Sequence, residues 1–107
     1  MDLNNVPICP GNVLSNEPGI YRTGKYGVRT ENVMVCKEDI STEFADFYSF
    51  ETLTLFPIDT RLIDFSLMNN DEINWLNDYH QSVLEKLRPQ TPHNQLSLLE
   101  RLTKPVE

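Results

Sequence analysis

The stretch NEPGIYRTGKYGVRTEN, residues 16–32, decides the fold of the first half of the chain. Gly24 and Gly27 separate two segments rich in β-branched and aromatic residues, which is the pattern of a β-hairpin. In a hairpin centred on Gly24, residues whose numbers add to 48 face each other, so Glu17 lies opposite Glu31. Directly opposed side chains have Cβ atoms roughly 5 Å apart, and like charges at that separation destabilise a sheet. The pattern therefore predicts that another feature compensates this repulsion.

Three interpretations of the opposed glutamates are open from these residues. The hairpin register differs, so that the two side chains never meet. Arg29, which shares a strand face with Glu31, neutralises the carboxylates. A divalent cation binds between them, because carboxylate oxygens suit hard or borderline metals. A closed site for zinc or manganese needs roughly four to six donors, and the chain offers few others. His80 is interpreted as a histidine that packs or caps a helix, and His93, in the Pro-flanked TPHNQ, as a solvated side chain.

The first half of the chain is expected to be mostly extended. Residues 1–11 are interrupted by Pro and Gly, so we expect an irregular segment there and regular structure from Asn12. Residues 37–50 begin polar and acidic and end aromatic, which favours a surface loop that leads into a packed segment. Alternating residues predict a strand over residues 51–56, which ends at Pro57 because proline has no N–H to donate.

The second half carries a helical pattern. Asn69 or Asn70 caps a helix with an acidic first turn, and Pro89 ends it. A shorter helix is expected over residues 94–102. The apolar stripe of the longer helix consists of Ile73, Leu76, Tyr79 or His80, Val83, Leu84 and Leu87. The predicted fold class is α+β, with an antiparallel hairpin or sheet followed by two C-terminal helices.

Composition excludes several kinds of function. The 107 residues suffice for one domain at most, and the net charge of -7 argues against a nucleic-acid surface. No apolar run reaches the roughly 18 residues of a membrane span, so we expect no membrane partner and a soluble, unsecreted protein. Cys9 and Cys36 form no metal-binding pair and are expected to be buried or idle thiols. Apolar residues, with Gly counted in place of Tyr, make up about 39%, below the roughly 45–50% of typical domains. We therefore expect a partner surface.

Two blocks of the sequence resemble a known enzyme family. SNEPGIYRTGKYGVRTENVMV, residues 15–35, resembles the C-terminal catalytic motif of the Xaa-Pro aminopeptidases, or aminopeptidase P, in the pita-bread metallopeptidase family. FETLTLFPIDTRLID, EINWLNDYHQSVLEKLRP and the closing LTKPVE are similar to the C-terminal extension of the long, eukaryotic-type branch of that group. The resemblance implies that residues 1–44 are the end of a pita-bread catalytic domain and that residues 45–107 are the extension.

The family resemblance implies a metal site and a reaction. Its members hold two divalent metal ions, commonly manganese, with two Asp, one His and two Glu. The Glu of the EPG motif and the Glu of the GxRxEN motif correspond to Glu17 and Glu31, and Arg29 is expected to orient acidic groups beside them. The implied reaction is hydrolysis of the bond between an N-terminal residue and a penultimate proline, which both ions promote.

The remaining ligands of that family should precede Glu17, yet only 16 residues do so, and none of them supplies the ligands. We therefore expect a C-terminal portion that is catalytically silent alone and that pairs with a missing N-terminal part of the same protein. We also expect self-association and a cytoplasmic location. The rival hypothesis is a non-enzymatic interaction or subunit-packing module, whose contact surface includes Trp75 and Tyr79 on the longer helix.

Overall fold

The computed structural model describes residues 5–107 and divides into two compact units. The first, here called the sheet unit, belongs to Met1–Thr54 and contains every β-strand among the described residues. The second, the helical unit, is Leu55–Glu107 and contains both α-helices. Strands followed by two C-terminal helices confirm the predicted α+β class. The irregular segment predicted for residues 1–11 falls partly outside the described residues, and regular structure starts at Val13, next to the predicted Asn12.

The sheet unit is built around the hairpin of residues 16–32. Its strands are β1 (Val13–Asn16), β2 (Gly19–Arg22), β3 (Tyr26–Arg29), β4 (Asn32–Ser41) and β5 (Asp46–Thr52). An antiparallel sheet has the order β1-β4-β5, and β2 and β3 form a separate two-stranded ribbon. At the turn, the Lys25 N–H donates to the Arg22 carbonyl at 2.9 Å. Gly24 has φ 69°, in the left-handed region that glycine enters without a Cβ penalty. The turn therefore lies where the glycine pattern predicts it.

One register runs through both ladders. Asn16 at the end of β1 pairs with Asn32 at the start of β4, and Gly19 at the start of β2 pairs with Arg29 at the end of β3. The residue numbers add to 48 in both pairs, and the same holds for every other pair in these two ladders. The chain therefore folds back symmetrically about Gly24, and the ladders settle a register that the sequence left open.

The region between the hairpin and Pro57 differs from the prediction. Residues 37–50 are not a loop, because β4 continues to Ser41 and β5 begins at Asp46. The charged residues that indicated a loop lie on these strands, where Lys37 Nζ pairs with Glu51 Oε2 at 2.8 Å. The strand expected over residues 51–56 occupies Asp46–Thr52 instead.

Two local features define the turn end of the β4–β5 ladder. Its register shifts by one residue between Glu38 and Ser41, so the strands end in a bulge. Thr42 then closes the connection, since its hydroxyl accepts from the Phe44 and Ala45 N–H groups. Side-chain hydrogen bonds of Thr42 therefore replace the backbone hydrogen bonds where the regular ladder stops.

The helical unit contains the two predicted helices. α1 is Asn70–Leu87 and α2 is Leu96–Leu102. Asn69 caps α1 in a reciprocal capping box with Glu72, which satisfies two backbone N–H groups at the helix start. The predicted start of α2 at residue 94 falls in the 3₁₀ turn His93–Gln95 that precedes it. Further 3₁₀ turns are Thr60–Leu62, Phe65–Leu67 and Arg88–Gln90.

Side chains of α1 form the core of the helical unit. The buried residues of this unit are Leu76, Tyr79, His80, Val83, Leu99 and Thr103. Three polar side chains of α1 also bind backbone groups of extended segments. Asn77 exchanges two hydrogen bonds of 2.9 Å with the Val106 backbone, while Tyr79 and His80 bind residues 56 and 58. No helix within residues 5–107 combines the length and apolarity that a bilayer span requires.

Candidate metal centre

Glu17 and Glu31 lie in the gap between the two ladders of the sheet unit. β1 ends at Asn16 and β2 begins at Gly19, while β3 ends at Arg29 and β4 begins at Asn32. Pro18 lies in this gap and has no N–H with which to continue a ladder. The register is the same on both sides of the gap, so Glu17 is opposite Glu31. The interpretation in which a different register separates the two glutamates is therefore wrong.

Each carboxylate has its own polar partner, a hydroxyl for Glu17 and a guanidinium for Glu31. Ser15 Oγ donates to Glu17 Oε1 at 2.8 Å. Arg29 Nε pairs with Glu31 Oε2 at 3.2 Å, and both side chains remain about half exposed. An exposed ion pair of this kind contributes little to stability, because water screens it. The contacts therefore orient the two carboxylates rather than bury them.

Arg29 connects the two glutamates electrostatically. Its pKa is raised above the ordinary value, first by the hydrogen bond and interaction with Tyr21, then by the charge of Glu31 and, more weakly, by that of Glu17. One guanidinium therefore acts on both carboxylates. The second interpretation, in which Arg29 neutralises carboxylate charge, is supported by a direct contact with Glu31 and a longer-range interaction with Glu17.

Tyr21 and two glycines hold Arg29 in this position. Tyr21 is directly opposite Gly27 and diagonal to Arg29, and Arg29 Nη1 donates to the Tyr21 hydroxyl at 3.4 Å. A Cβ on Gly19 would lie 2.5 Å from the Tyr21 Oη, and one on Gly27 would lie 2.9 Å from the Tyr21 Cδ1. The Tyr21 ring therefore occupies the space that a Cβ at Gly19 or Gly27 would need, so this position of the ring requires glycine at both residues. Sequence reasoning missed Tyr21, although the register itself makes Tyr21 and Arg29 diagonal neighbours on one face.

The chemistry of this donor set suits a divalent cation. Both glutamates offer oxygen atoms, which hard and borderline metal ions prefer. Within residues 5–107, however, no three His, Cys, Asp or Glu side chains are grouped so that they hold a metal. Two carboxylates therefore fit part of a metal site whose other donors lie outside this group.

The other candidate residues belong to other elements of the chain. His80 is buried in α1 and accepts from the Ile58 N–H, which confirms the interpretation of a packing histidine, and His93 is exposed in a 3₁₀ turn. Cys36 is buried and Cys9 is exposed, and neither forms a disulfide. Trp75 stacks on Tyr79 with ring centroids 5.7 Å apart, although Tyr79 itself is buried. Of the rival contact surface, only the Trp75 ring is therefore well exposed.

Comparisons with known proteins agree with the resemblance stated from the sequence. The chain is 43% identical over 108 residues to "Probable Xaa-Pro aminopeptidase P" of Coprinopsis cinerea, covering 96% of this chain and 17% of that protein. It is 44% identical over 106 residues to the protein of the same name in Arthroderma otae, covering 94% of this chain and 17% of that protein. The chain thus spans about one sixth of the length of these curated relatives.

A solved structure and a family model agree with these relatives. The crystal structure of X-prolyl aminopeptidase from Caenorhabditis elegans, described as a cytosolic enzyme with a di-nuclear active site, matches with a TM-score of 0.77 and 40% identity. The match covers 92% of this chain and 17% of that one. Residues 46–106, more than half of the chain, match the family described as the C-terminal region of peptidase M24. The chain therefore belongs to the family of the C-terminal region of peptidase M24.

Proposed function

We propose that the chain is the C-terminal part of a metal-dependent Xaa-Pro aminopeptidase and that Glu17 and Glu31 are two ligands of its dinuclear centre. The observation that carries the proposal is the common register of the two ladders, which sets these carboxylates opposite each other beside one arginine. The di-nuclear active site of the Caenorhabditis elegans enzyme supports two metal ions in the whole protein. Residues 1–44 then belong to the catalytic domain and residues 45–107 to its C-terminal extension.

In this proposal the chain's own residues bind and orient. Glu17 and Glu31 supply oxygen ligands, and Ser15 and Arg29 fix the direction of their carboxylates. Tyr21 in turn limits the positions that the Arg29 guanidinium reaches. When bound, two divalent ions, for which we propose manganese, supply Lewis-acid polarisation of the peptide carbonyl. The substrates are peptides with proline at the second position, and the location is cytoplasmic.

The isolated chain should lack a closed metal site and peptidase activity. Two carboxylates fall short of the roughly four to six donors of a closed site. The purified 107-residue chain should therefore bind manganese no more tightly than the millimolar range and should release no residue from Xaa-Pro peptides. Calorimetric titration and a peptidase assay measure both. Tight binding that is lost in Glu17→Gln would mean that the chain builds a working site itself, and the silent-portion proposal would fail.

A chimera tests the ligand assignment directly. In the Caenorhabditis elegans enzyme, the matched segment is replaced by this chain, which aligns with it over 92% of its length. We expect the chimera to retain two metal ions and to cleave Xaa-Pro peptides. Glu17→Gln and Glu31→Gln should each lower the metal content and abolish most activity, whereas Glu43→Gln, at an exposed position in the β4–β5 connection, should change neither. Unchanged metal content in both ligand variants of an active chimera would refute the assignment.

The same chimera tests Arg29 as a positioning residue. Loss of a group that orients a metal ligand typically costs 10–100-fold in metal affinity or activity. We expect Arg29→Gln to weaken manganese binding by about that factor, and Arg22→Gln, in the same hairpin, to have little effect. A metal affinity that is unaltered in Arg29→Gln would leave Arg29 with a purely structural role.

A second function, interaction with another protein surface, is supported by the exposed apolar side chains of the ribbon. Ile20 is 68% exposed and Val28, its direct partner across the strands, is 58% exposed. Such a cross-strand apolar pair favours burial against another surface. The proposed partners are an N-terminal part of the same protein or a second copy of the chain. Sedimentation velocity should show self-association that Val28→Lys reduces, and a monomer at all concentrations would contradict it.

A further inference from the structure

A buried histidine in the helical unit has no part in the proposed metal site. His80 is 0% exposed, and its Nε2 accepts the Ile58 N–H at 3.1 Å. Its Nδ1 is buried without a hydrogen-bond partner among residues 5–107. Because Nε2 is an acceptor, the ring carries its proton on Nδ1 and is neutral. The hydrogen bond to Ile58 therefore exists only in the neutral form of the ring.

His80 works together with the preceding residue of α1. The Tyr79 hydroxyl donates to the Phe56 carbonyl at 2.8 Å. Pro57, between the two bound residues, has no N–H of its own. Tyr79 and His80, here called the clamp, thus satisfy one carbonyl and one N–H of segment 56–58, as a neighbouring strand would do in a sheet.

The segment held by the clamp forms part of an apolar groove. Phe56 and Pro57 line a cavity of about 180 Å³ together with residues from the end of α1 and from α2, among them Leu87, Leu98 and Leu102. Phe56 is largely exposed at this surface. Phe56 and Pro57 form one wall of this groove. The position of that wall therefore depends on the backbone of segment 56–58, which the clamp binds.

Burial makes protonation of His80 unfavourable in the folded chain. The pKa of His80 is lowered by burial, because the charged ring loses its hydration. Asp59, which follows Ile58 in the chain, pairs with Arg61, and Glu100, which follows the buried Leu99 in α2, pairs with Arg88. The titratable neighbour on α1 is Tyr79, whose ring centroid lies 5.9 Å from that of His80.

The direction of the pH dependence follows from this shift. In the unfolded chain the histidine pKa is about 6.5. Below that value an unfolded or released chain binds a proton that the closed form does not, so acidification favours release. The stabilisation is fully present above about pH 6.5 and is lost as the pH falls towards the lower pKa of the folded state.

We infer that the clamp is a pH-sensitive latch, in which protonation of the His80 ring removes the acceptor for Ile58, releases segment 56–58 from α1 and opens a wall of the apolar groove. One proton taken up on release changes the open-to-closed ratio by up to about tenfold per pH unit. The latch does not involve Glu17 or Glu31 and is independent of the proposed metal site.

Amide hydrogen exchange of Ile58 in the 107-residue chain tests the latch. After correction for intrinsic exchange, the protection of this amide should fall between pH 7.5 and 5.0, by up to about tenfold per unit below pH 6.5. His80→Gln keeps a side-chain acceptor that does not titrate, so the fall should disappear. His93→Gln, at the exposed histidine, should behave like the parent chain. Tyr79→Phe removes the other half of the clamp and should lower protection equally at every pH.

A second measurement keeps the test independent of how well the variants fold. Nitrogen chemical shifts of the His80 ring in the unmodified chain should show a neutral Nδ1–H form at pH 7.5, which becomes charged only as Ile58 loses protection. Three results would overturn the latch: an Ile58 amide unprotected at pH 7.5, protection that does not vary with pH, or a pH dependence that persists in His80→Gln.

Discussion

The sheet unit and the helical unit obtain their structure from different interactions. Among residues 5–54 the only buried side chain is Cys36, and every residue of β2 and β3 is exposed. The helical unit instead buries four neighbouring residues of α1 together with Leu99 and Thr103. Ladder hydrogen bonds and a glycine turn define the first unit, while side-chain packing defines the second. The candidate metal ligands thus lie in the unit that has little core of its own.

The largest expected effect comes from a cavity in the helical unit. Leu76 is 2% exposed, and Leu→Ala substitution at a buried site costs about 2–5 kcal/mol of unfolding free energy because it leaves a cavity. Chemical denaturation followed by helical circular dichroism measures this loss for Leu76→Ala. In the same unit Leu62, which is 87% exposed, provides the control, since Leu62→Ala should stay within about 0.5 kcal/mol. Equal losses in the two variants would mean that α1 packing does not stabilise this unit.

An intermediate effect should come from the turn of the sheet unit. Gly24 has φ 69°, and an L-residue in this left-handed region costs about 1–2 kcal/mol. A Cβ at Gly24 would meet no atom within 4 Å, so Gly24→Ala isolates this backbone strain. We expect weaker cross-strand nuclear Overhauser effects between Ile20 and Val28, whereas Thr23→Ala should preserve them. An unaffected ribbon in Gly24→Ala would show that the turn does not determine the register.

The smallest effect concerns the exposed ion pairs that both units carry. Arg61 lowers the pKa of Asp59 from 3.8 to about 2, mainly through hydrogen bonds from its side chain and backbone. Because the folded-state pKa of Asp59 is depressed, the stabilisation is fully present at pH values above the pKa of Asp59 in the unfolded chain. It is lost as the pH falls through about 2. Carboxyl carbon shifts in NMR should show the pKa of Asp59 returning towards 3.8 in Arg61→Gln. Arg101→Gln, in α2, is the control. If that variant raised the pKa of Asp59 as much as Arg61→Gln does, Arg61 would not be the cause of the shift.

Much of the sheet unit could be predicted from local sequence. Glycine spacing and β-branched residues indicate the hairpin, and a hairpin centred on Gly24 sets Glu17 opposite Glu31, but only the ladders establish that centre. The strands β4 and β5 could not be predicted in the same way. Their polar residues have loop propensity, and backbone pairing of β4 with β1 and with β5, which joins residues distant along the chain, places them in a sheet.

The helical unit shows the same division between local and tertiary information. The cap at Asn69 and the apolar spacing predict α1 with its correct ends. The spacing leaves Tyr79 and His80 as alternatives for one core position, yet both are buried. The second of them is accommodated because Ile58, distant in sequence, supplies a hydrogen-bond donor. The spacing of apolar residues along α1 cannot reveal a hydrogen-bond donor that lies elsewhere in the sequence.

The sequence by itself therefore determined the turn at Gly24 and the position of α1, and it named Glu17, Glu31 and Arg29 as candidates, because these features depend on residues close along the chain or related by one turn. The hairpin register stayed open until the two ladders fixed it. Only the tertiary structure decided that Tyr21 lies across Gly19 and Gly27 against Arg29, and that α1 binds segment 56–58 through its backbone. These contacts join atoms whose approach depends on side-chain direction and burial. Neither is encoded in residue spacing, which fixes only the face on which a side chain lies.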